Sequence, residues 1–145
     1  MIKGKSIYIK PETDTVYGNG NTEISVIRPG GEISEINAAD FGLGADSYDN
    51  TAAMQAALDY CAENSGTALR VEKGVYYFRN KSPLTLKNAE NVIIDGGGSE
   101  FIFSEFFEAG RFFGIEKCRR VTVCNMIFDW DWDKMRLADI VRISD

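Results

Sequence analysis

The chain contains no histidine. An imidazole base, a Ser-His-Asp relay and a histidine-ligated metal are thereby excluded. Cysteine is scarce as well. Cys61, Cys118 and Cys124 cannot all pair within one chain, and the C-x5-C spacing of the last two matches no common zinc pattern. They read as free, buried thiols. Positive charge is the minority sign: 16 Lys and Arg face 22 Asp and Glu, for a net charge of −6. No excess of cations is left to neutralise phosphates, so neither nucleic acid nor an anionic membrane is an expected partner. No apolar run approaches the ~20 residues of a membrane span. The start, Met1-Ile2-Lys3-Gly4-Lys5-Ser6, lacks the apolar core of a signal peptide. The chain therefore reads as soluble and without an export signal of its own. What remains is ordinary globular material: 145 residues, 44% hydrophobic and 12% aromatic. That length suggests one domain, burying roughly 70% of the surface an unfolded chain exposes.

Three stretches follow one another within that domain. Residues 1–37 are short strands, Ile7-Tyr8-Ile9, Ile24-Ser25-Val26-Ile27 and Ile33-Ser34-Glu35-Ile36, punctuated by Pro11, Gly18-Asn19-Gly20-Asn21 and Pro29-Gly30-Gly31. Residues 38–66 contain the one helical period, with Met54, Leu58, Cys61 and the alanines at 53, 57 and 62 on one side. Asp49 or Asn50 can cap its start, and Asn64-Ser65-Gly66 ends it. Residues 67–145 return to brief strands, and there the chain repeats itself.

Leu84 and Leu86, Val92 and Ile94, Phe101 and Phe103 reappear 29 residues later as Phe113 and Ile115, Val121 and Val123, Trp130 and Trp132. Looser copies flank them: Leu69 and Val71 lie 23 before Val92 and Ile94, Tyr76 and Phe78 lie 25 before Phe101 and Phe103, and Val141 and Ile143 lie 28 after Phe113 and Ile115. Alternation at a spacing of two places these side chains on one face of each strand. A repeat of this length built of short strands marks a solenoid, in which each turn buries the inner face of its neighbour. The expected fold is all-β: a single-stranded, right-handed parallel β-helix with three strands per rung. One N-terminal helix caps it, and it stops after two to three rungs. Tyr76 and Phe78, Phe101 and Phe103, Trp130 and Trp132 are expected to pile into an aromatic ladder.

A family resemblance rests on the same residues. Ala39-Asp40-Phe41-Gly42, Gly44-Ala45-Asp46 and Asp49-Asn50-Thr51-Ala52-Ala53-Met54-Gln55-Ala56-Ala57-Leu58 resemble the segment that leads into the capping helix of pectate-lyase-superfamily proteins. Leu69 through Phe78 is similar to the strand-turn-strand that follows it there, with Glu72-Lys73 in place of the usual Pro-Ala. Val92-Ile93-Ile94-Asp95-Gly96-Gly97-Gly98 is similar to the glycine turn of the next rung. Phe101-Ile102-Phe103 and Val121 through Trp130 look most like the β-helix α-1,3-galactosidases. The resemblance implies the N-terminal part of a carbohydrate-active enzyme, a glycoside hydrolase acting on galactose-containing glycans, with a polysaccharide or glycan as the parent's partner. It also implies that the acidic catalytic residues sit in later rungs, so no catalytic set, and no hydrolysis, is expected from these residues alone. The Asp-Asp and Gly-His-Gly elements of polygalacturonase-like members do not occur. Two other readings stay open: a phage-tailspike-like structural or polysaccharide-binding module, and self-assembly into a homo-oligomer through an open last rung.

Individual candidates are few. Phe128-Asp129-Trp130-Asp131-Trp132-Asp133 alternates aspartate and aromatic. Asp129, Asp131 and Asp133 offer oxygen ligands to a Ca²⁺ ion, although an EF-hand is excluded by Lys134 and Ile140 at its glycine and glutamate positions. No other cofactor is expected. Asp129 and Asp131, two residues apart on a strand, would lie about 6.5–7 Å from each other, a separation that suits paired carboxyls in glycoside hydrolysis. Trp130 and Trp132 are candidates for sugar stacking, although the repeat turns both inward; core aromatics and solvated aspartates are the plainer reading. Asp95 before three glycines reads as a turn cap and not a phosphate loop, since Ser99-Glu100 follows instead of a Lys-Ser/Thr pair. Asp46, Asp49 and Thr51 suit helix capping. Lys117, Arg119 and Arg120 read as a solvated turn, or as a grip on an acidic sugar.

Overall fold

The computed structural model describes residues 2–20, 22–105 and 111–134. Strands dominate. In chain order they are β1 (Lys5–Ile9), β2 (Thr13–Tyr17), β3 (Glu23–Ile27) and β4 (Gly31–Asn37), then a 3-10 turn (Ala38–Phe41) and the helix α1 (Thr51–Glu63). After the helix come β5 (Thr67–Arg70), β6 (Val75–Phe78), β7 (Leu84–Lys87), β8 (Glu90–Phe103), β9 (Phe113–Glu116) and β10 (Arg119–Trp130).

From β4 onward every pairing is parallel, and the pairings fall into three ladders. The first stacks Ile36, Leu69, Ile94 and Val123 on β4, β5, β8 and β10. The second stacks Tyr76, Phe101 and Phe128, and beside them Phe78, Phe103 and Trp130. The third pairs Leu84 and Leu86 of β7 with Phe113 and Ile115 of β9. The chain thus visits the ladders in rotation, and each long strand, β8 or β10, serves two of them. At the N-terminal edge β1 pairs antiparallel with β4, and β2 with β3 forms a separate hairpin.

The 29-residue repeat holds for the third ladder and for Val92↔Val121 and Ile94↔Val123, then breaks. Phe101 pairs with Phe128 and Phe103 with Trp130, two residues short of the expected Trp130 and Trp132. The cause is the turn between ladders: β8 bends through Gly96, Gly97 and Gly98, whereas β10 manages the same bend with Asn125 alone. A second slip of the same size occurs earlier, where Thr67 and Leu69, and not Leu69 and Val71, lie beside Val92 and Ile94. Both slips are by two. Side chains alternate with period two, so a shift of two keeps the inner face inward and leaves the apolar pattern unchanged. The pair Val141 and Ile143 lies outside the described residues.

The turns repeat as well. Asn88 and Asn91 have φ of 58° and 59°, and their counterparts 29 positions on, Lys117 and Arg120, have φ of 53° and 51°. Left-handed backbone suits asparagine far better than lysine or arginine. The sulfur of Cys118 takes a hydrogen bond from the Ala89 N–H at 3.4 Å, so the residues between the strained positions also stack.

Helix α1 closes the front of the stack. Met54, Ala57, Leu58 and Cys61 are buried at helical spacing and join the core of Leu69, Phe78, Leu84, Leu86, Val92, Ile94, Phe101 and Phe103. Gln55 reaches the backbone of β7, donating to Thr85 O and accepting from Thr85 N–H at 2.9 Å each, which satisfies a strand edge that no other strand covers among the described residues. Of the two expected caps, Asp49 performs the role: its Oδ1 accepts from the N–H and hydroxyl of Thr51 at 3.0 and 2.6 Å. Asn50 instead turns away, fully buried, and accepts from Gly44 N–H at 2.9 Å. Asn64 returns its amide to Tyr60 O at 2.8 Å, and Gly66 follows at φ 75°. Cys61, Cys118 and Cys124 are free.

Candidate functional site

The acidic-aromatic segment after Phe128 does not continue as a strand. β10 ends at Trp130, and a turn follows in which Lys134 N–H donates to Asp131 O at 2.9 Å. Asp129 is exposed and accepts from the Trp132 indole at 3.0 Å and from the Trp130 N–H at 2.7 Å. Asp131, just past β10, instead faces the residue after β8, accepting from the Ser104 hydroxyl at 2.9 Å. The two carboxylates thus serve different partners. Asp133 sits exposed in the turn. Among the described residues, no group of three or more His, Cys, Asp or Glu side chains is arranged to hold a metal ion.

The two tryptophans part company. Trp130 is half-buried, its ring 6.4 Å from Phe103 and 5.5 Å from Phe112. Trp132 is not on the inner face at all and is 55% exposed. A turn after Trp130 removes it from the alternation that the repeat imposes.

A second cluster lies along the outer face of the first ladder, where Asn37, Arg70, Asp95 and Cys124 occupy one register row. The Arg70 guanidinium bridges Glu35 on one side, at 2.8 Å, and Asp95 on the other, at 2.5 Å. Asp95 also accepts from Gly97 N–H at 3.0 Å and from the Asn125 amide at 2.9 Å. Burial pushes the Asp95 carboxyl up, but the Asn125 and Gly97 hydrogen bonds and the Arg70 charge outweigh it and hold it below the usual range. Asp95 is therefore the turn cap its sequence suggests, and a cross-strand ion-pair partner as well. A lowered pKa is the opposite of the raised one that suits a carboxyl to general-acid work at neutral pH. The same chemistry recurs at Asp49, where Thr51, the Arg79 N–H and the Arg79 charge overcome the upward push of burial. Beside Glu35 and Arg70 is a shallow recess of about 200 Å³, lined also by Lys3, Lys5, Ile36, Asn37 and Asp40.

Lys117 and Arg120 carry the left-handed bends, and Arg120 donates to Glu90 across the strands at 3.0 Å. Sequence reasoning missed the Glu35–Arg70–Asp95 ion-pair cluster. Its signal was available: Arg70 and Asp95 are 25 apart, the spacing that also relates Tyr76 to Phe101. Periodicity gave no signal for the contacts that Tyr48 and Arg79 make, because loops bring them together.

No family profile matches the chain. Two curated relatives do. Alpha-1,3-galactosidase B of Bacteroides thetaiotaomicron is 29% identical over 116 residues, covering 66% of this chain and 18% of that protein. Alpha-1,3-galactosidase A of Shewanella woodyi is 28% identical over 148 residues, covering 88% of this chain and 22% of that protein. The chain thus spans about a fifth of the length of these relatives.

Proposed function

We propose that this chain forms the capped opening turns of a right-handed parallel β-helix in a glycoside hydrolase that acts on galactose-containing glycans. The observation that carries the reading is the likeness, along most of the chain, to two proteins named alpha-1,3-galactosidase. The three parallel ladders support the architecture, since a chain that visits them in rotation buries each strand's inner face against the copy before it.

The role of this segment is to start the stack, not to cleave. Hydrolysis of a glycosidic bond needs one carboxyl that donates a proton and a second that attacks or activates water. Asp95 is held ionised by Arg70 and Asn125, and Asp129 and Asp131 each accept hydrogen bonds from different elements. The catalytic pair belongs to other turns of the parent protein. The test compares the 145-residue chain with its full-length parent on an α-1,3-linked galactobiose. Galactose release by the parent and none by the chain is the expected result. Turnover by the chain itself would overturn the scaffolding role, and a parent that releases a different sugar would overturn the substrate. A trimeric parent that binds polysaccharide without cleaving it would favour the tailspike-like module.

A further inference from the structure

At one end of the second ladder, the loop before α1 and the turn after β10 converge on the same surface. The Arg79 guanidinium lies between two tyrosine rings, 4.3 Å from the centroid of Tyr48 and 4.5 Å from that of Tyr77. Its backbone N–H is held by Asp49 at 3.0 Å, and its Nε is buried without a hydrogen-bond partner. The Lys134 ammonium lies 5.9 Å from the centroid of the Tyr48 ring. Two large aromatic faces stay in water here: Tyr48 is 72% exposed and Trp132 is 55% exposed, the latter steadied by its indole bond to Asp129. Tyr77, Ile102 and Asp129 form one row across three strands, so the strand that carries Tyr77 and the one that carries Asp129, the acceptor of the Trp132 indole, lie two interstrand spacings apart, about 9.5 Å between backbones.

Fixed aromatic faces, a clamped guanidinium and carboxylates of opposite sign beside them suit one kind of ligand. A pyranose presents C–H faces to aromatic rings and hydroxyls to charged donors and acceptors, and the mixed signs favour a neutral sugar over an acidic one. Each exposed ring forgoes the burial that stabilises aromatic side chains elsewhere in the molecule, yet each is held in place by a polar partner, Tyr48 by Arg79 and Trp132 by Asp129. We propose that Tyr48, Arg79 and Trp132 form a non-catalytic platform that binds a neutral oligosaccharide along the outer face of the second ladder. The choice of a galactose-terminated ligand rests on the function proposed above; the platform itself does not.

The experiment is a titration of the chain with α-1,3-linked galactobiose, and in parallel with cellobiose and mannobiose, followed by the fluorescence of its two tryptophans. A saturable shift at millimolar sugar is expected, weakened at least ~10-fold by Trp132→Ala and by Tyr48→Ala. Circular dichroism of both variants should match the parent chain, since both side chains are exposed, and Trp130→Phe should still bind. Saturable binding of a different neutral disaccharide, lost in the same variants, keeps the platform and overturns the galactose assignment. No saturable shift with any of the three sugars, or a shift that survives both substitutions, overturns the platform and leaves the hydrolase reading to the assay on the full-length parent.

Discussion

Asp95 shows how a single residue in this molecule works for several strands at once. It caps its own turn through Gly97, ties β8 to β5 through Arg70 and ties it to β10 through Asn125. Because its folded pKa lies below its unfolded value, its stabilisation is complete above about pH 4 and is lost as pH falls through the folded pKa. Asp95→Asn should therefore cost about 1–2 kcal/mol at pH 7 and flatten the acid side of a stability curve, measured by urea unfolding at several pH values. An unchanged acid limb would mean that Asp95 is equally free in both states. Lys117 offers the opposite test. It occupies a left-handed bend at φ 53° where the preceding turn has Asn88, so Lys117→Gly should raise stability by up to ~1 kcal/mol by relieving that conformation.

Elements differ sharply in what holds them. The second ladder packs ring on ring: Phe78 and Phe103 are stacked at 5.0 Å, and Phe101 meets Tyr76 and Phe128 at 5.9 Å on either side. Phe101→Ala should cost about 3–5 kcal/mol, whereas Trp132→Ala should stay within ~0.5 kcal/mol; chemical denaturation distinguishes the observed register from the one the 29-residue repeat suggests, in which Trp132 is a core residue. The β2–β3 hairpin is the contrasting case. Val16, Tyr17, Ile24, Val26 and Ile27 are all more than 40% exposed, and a two-stranded ribbon is marginal in water without a face to pack on. Amides of β2 and β3 should exchange rapidly while those of β5, β7 and the first half of β8 stay protected. Equal protection would show that the hairpin is packed in solution.

For the whole molecule, the governing feature is asymmetry between its two ends. Helix α1, the 3-10 turn and Gln55 seal the front, while β10 is the outermost strand of both ladders it serves among the described residues. On that side Phe128 and Ile127 are 38% and 53% exposed, although their counterparts Phe101 and Glu100 sit one strand further in. A strand edge with apolar side chains beside it invites another strand. We expect the isolated chain to show a mass above one copy at micromolar concentration in light scattering; a strictly monomeric profile would show that the edge is protected in some other way.

What the sequence by itself determined is the inner face. Two-residue alternation, the recurring apolar pairs and the helical spacing of Met54, Leu58 and Cys61 name the buried residues, because burial of a strand or helix face leaves its period in the chain. Tertiary structure alone decided the register and the surface. A slip of two residues leaves every side chain on its own face, so only the length of the turn, three glycines in one place and Asn125 in the other, set which aromatic lies over which. Of the outer clusters, Arg70 and Asp95 share the 25-residue spacing of the ladders, but their partner Glu35 and the pair Tyr48 with Arg79 carry no period. Their members come from separate strands and loops, and the stacking of the ladders brings them within reach of each other.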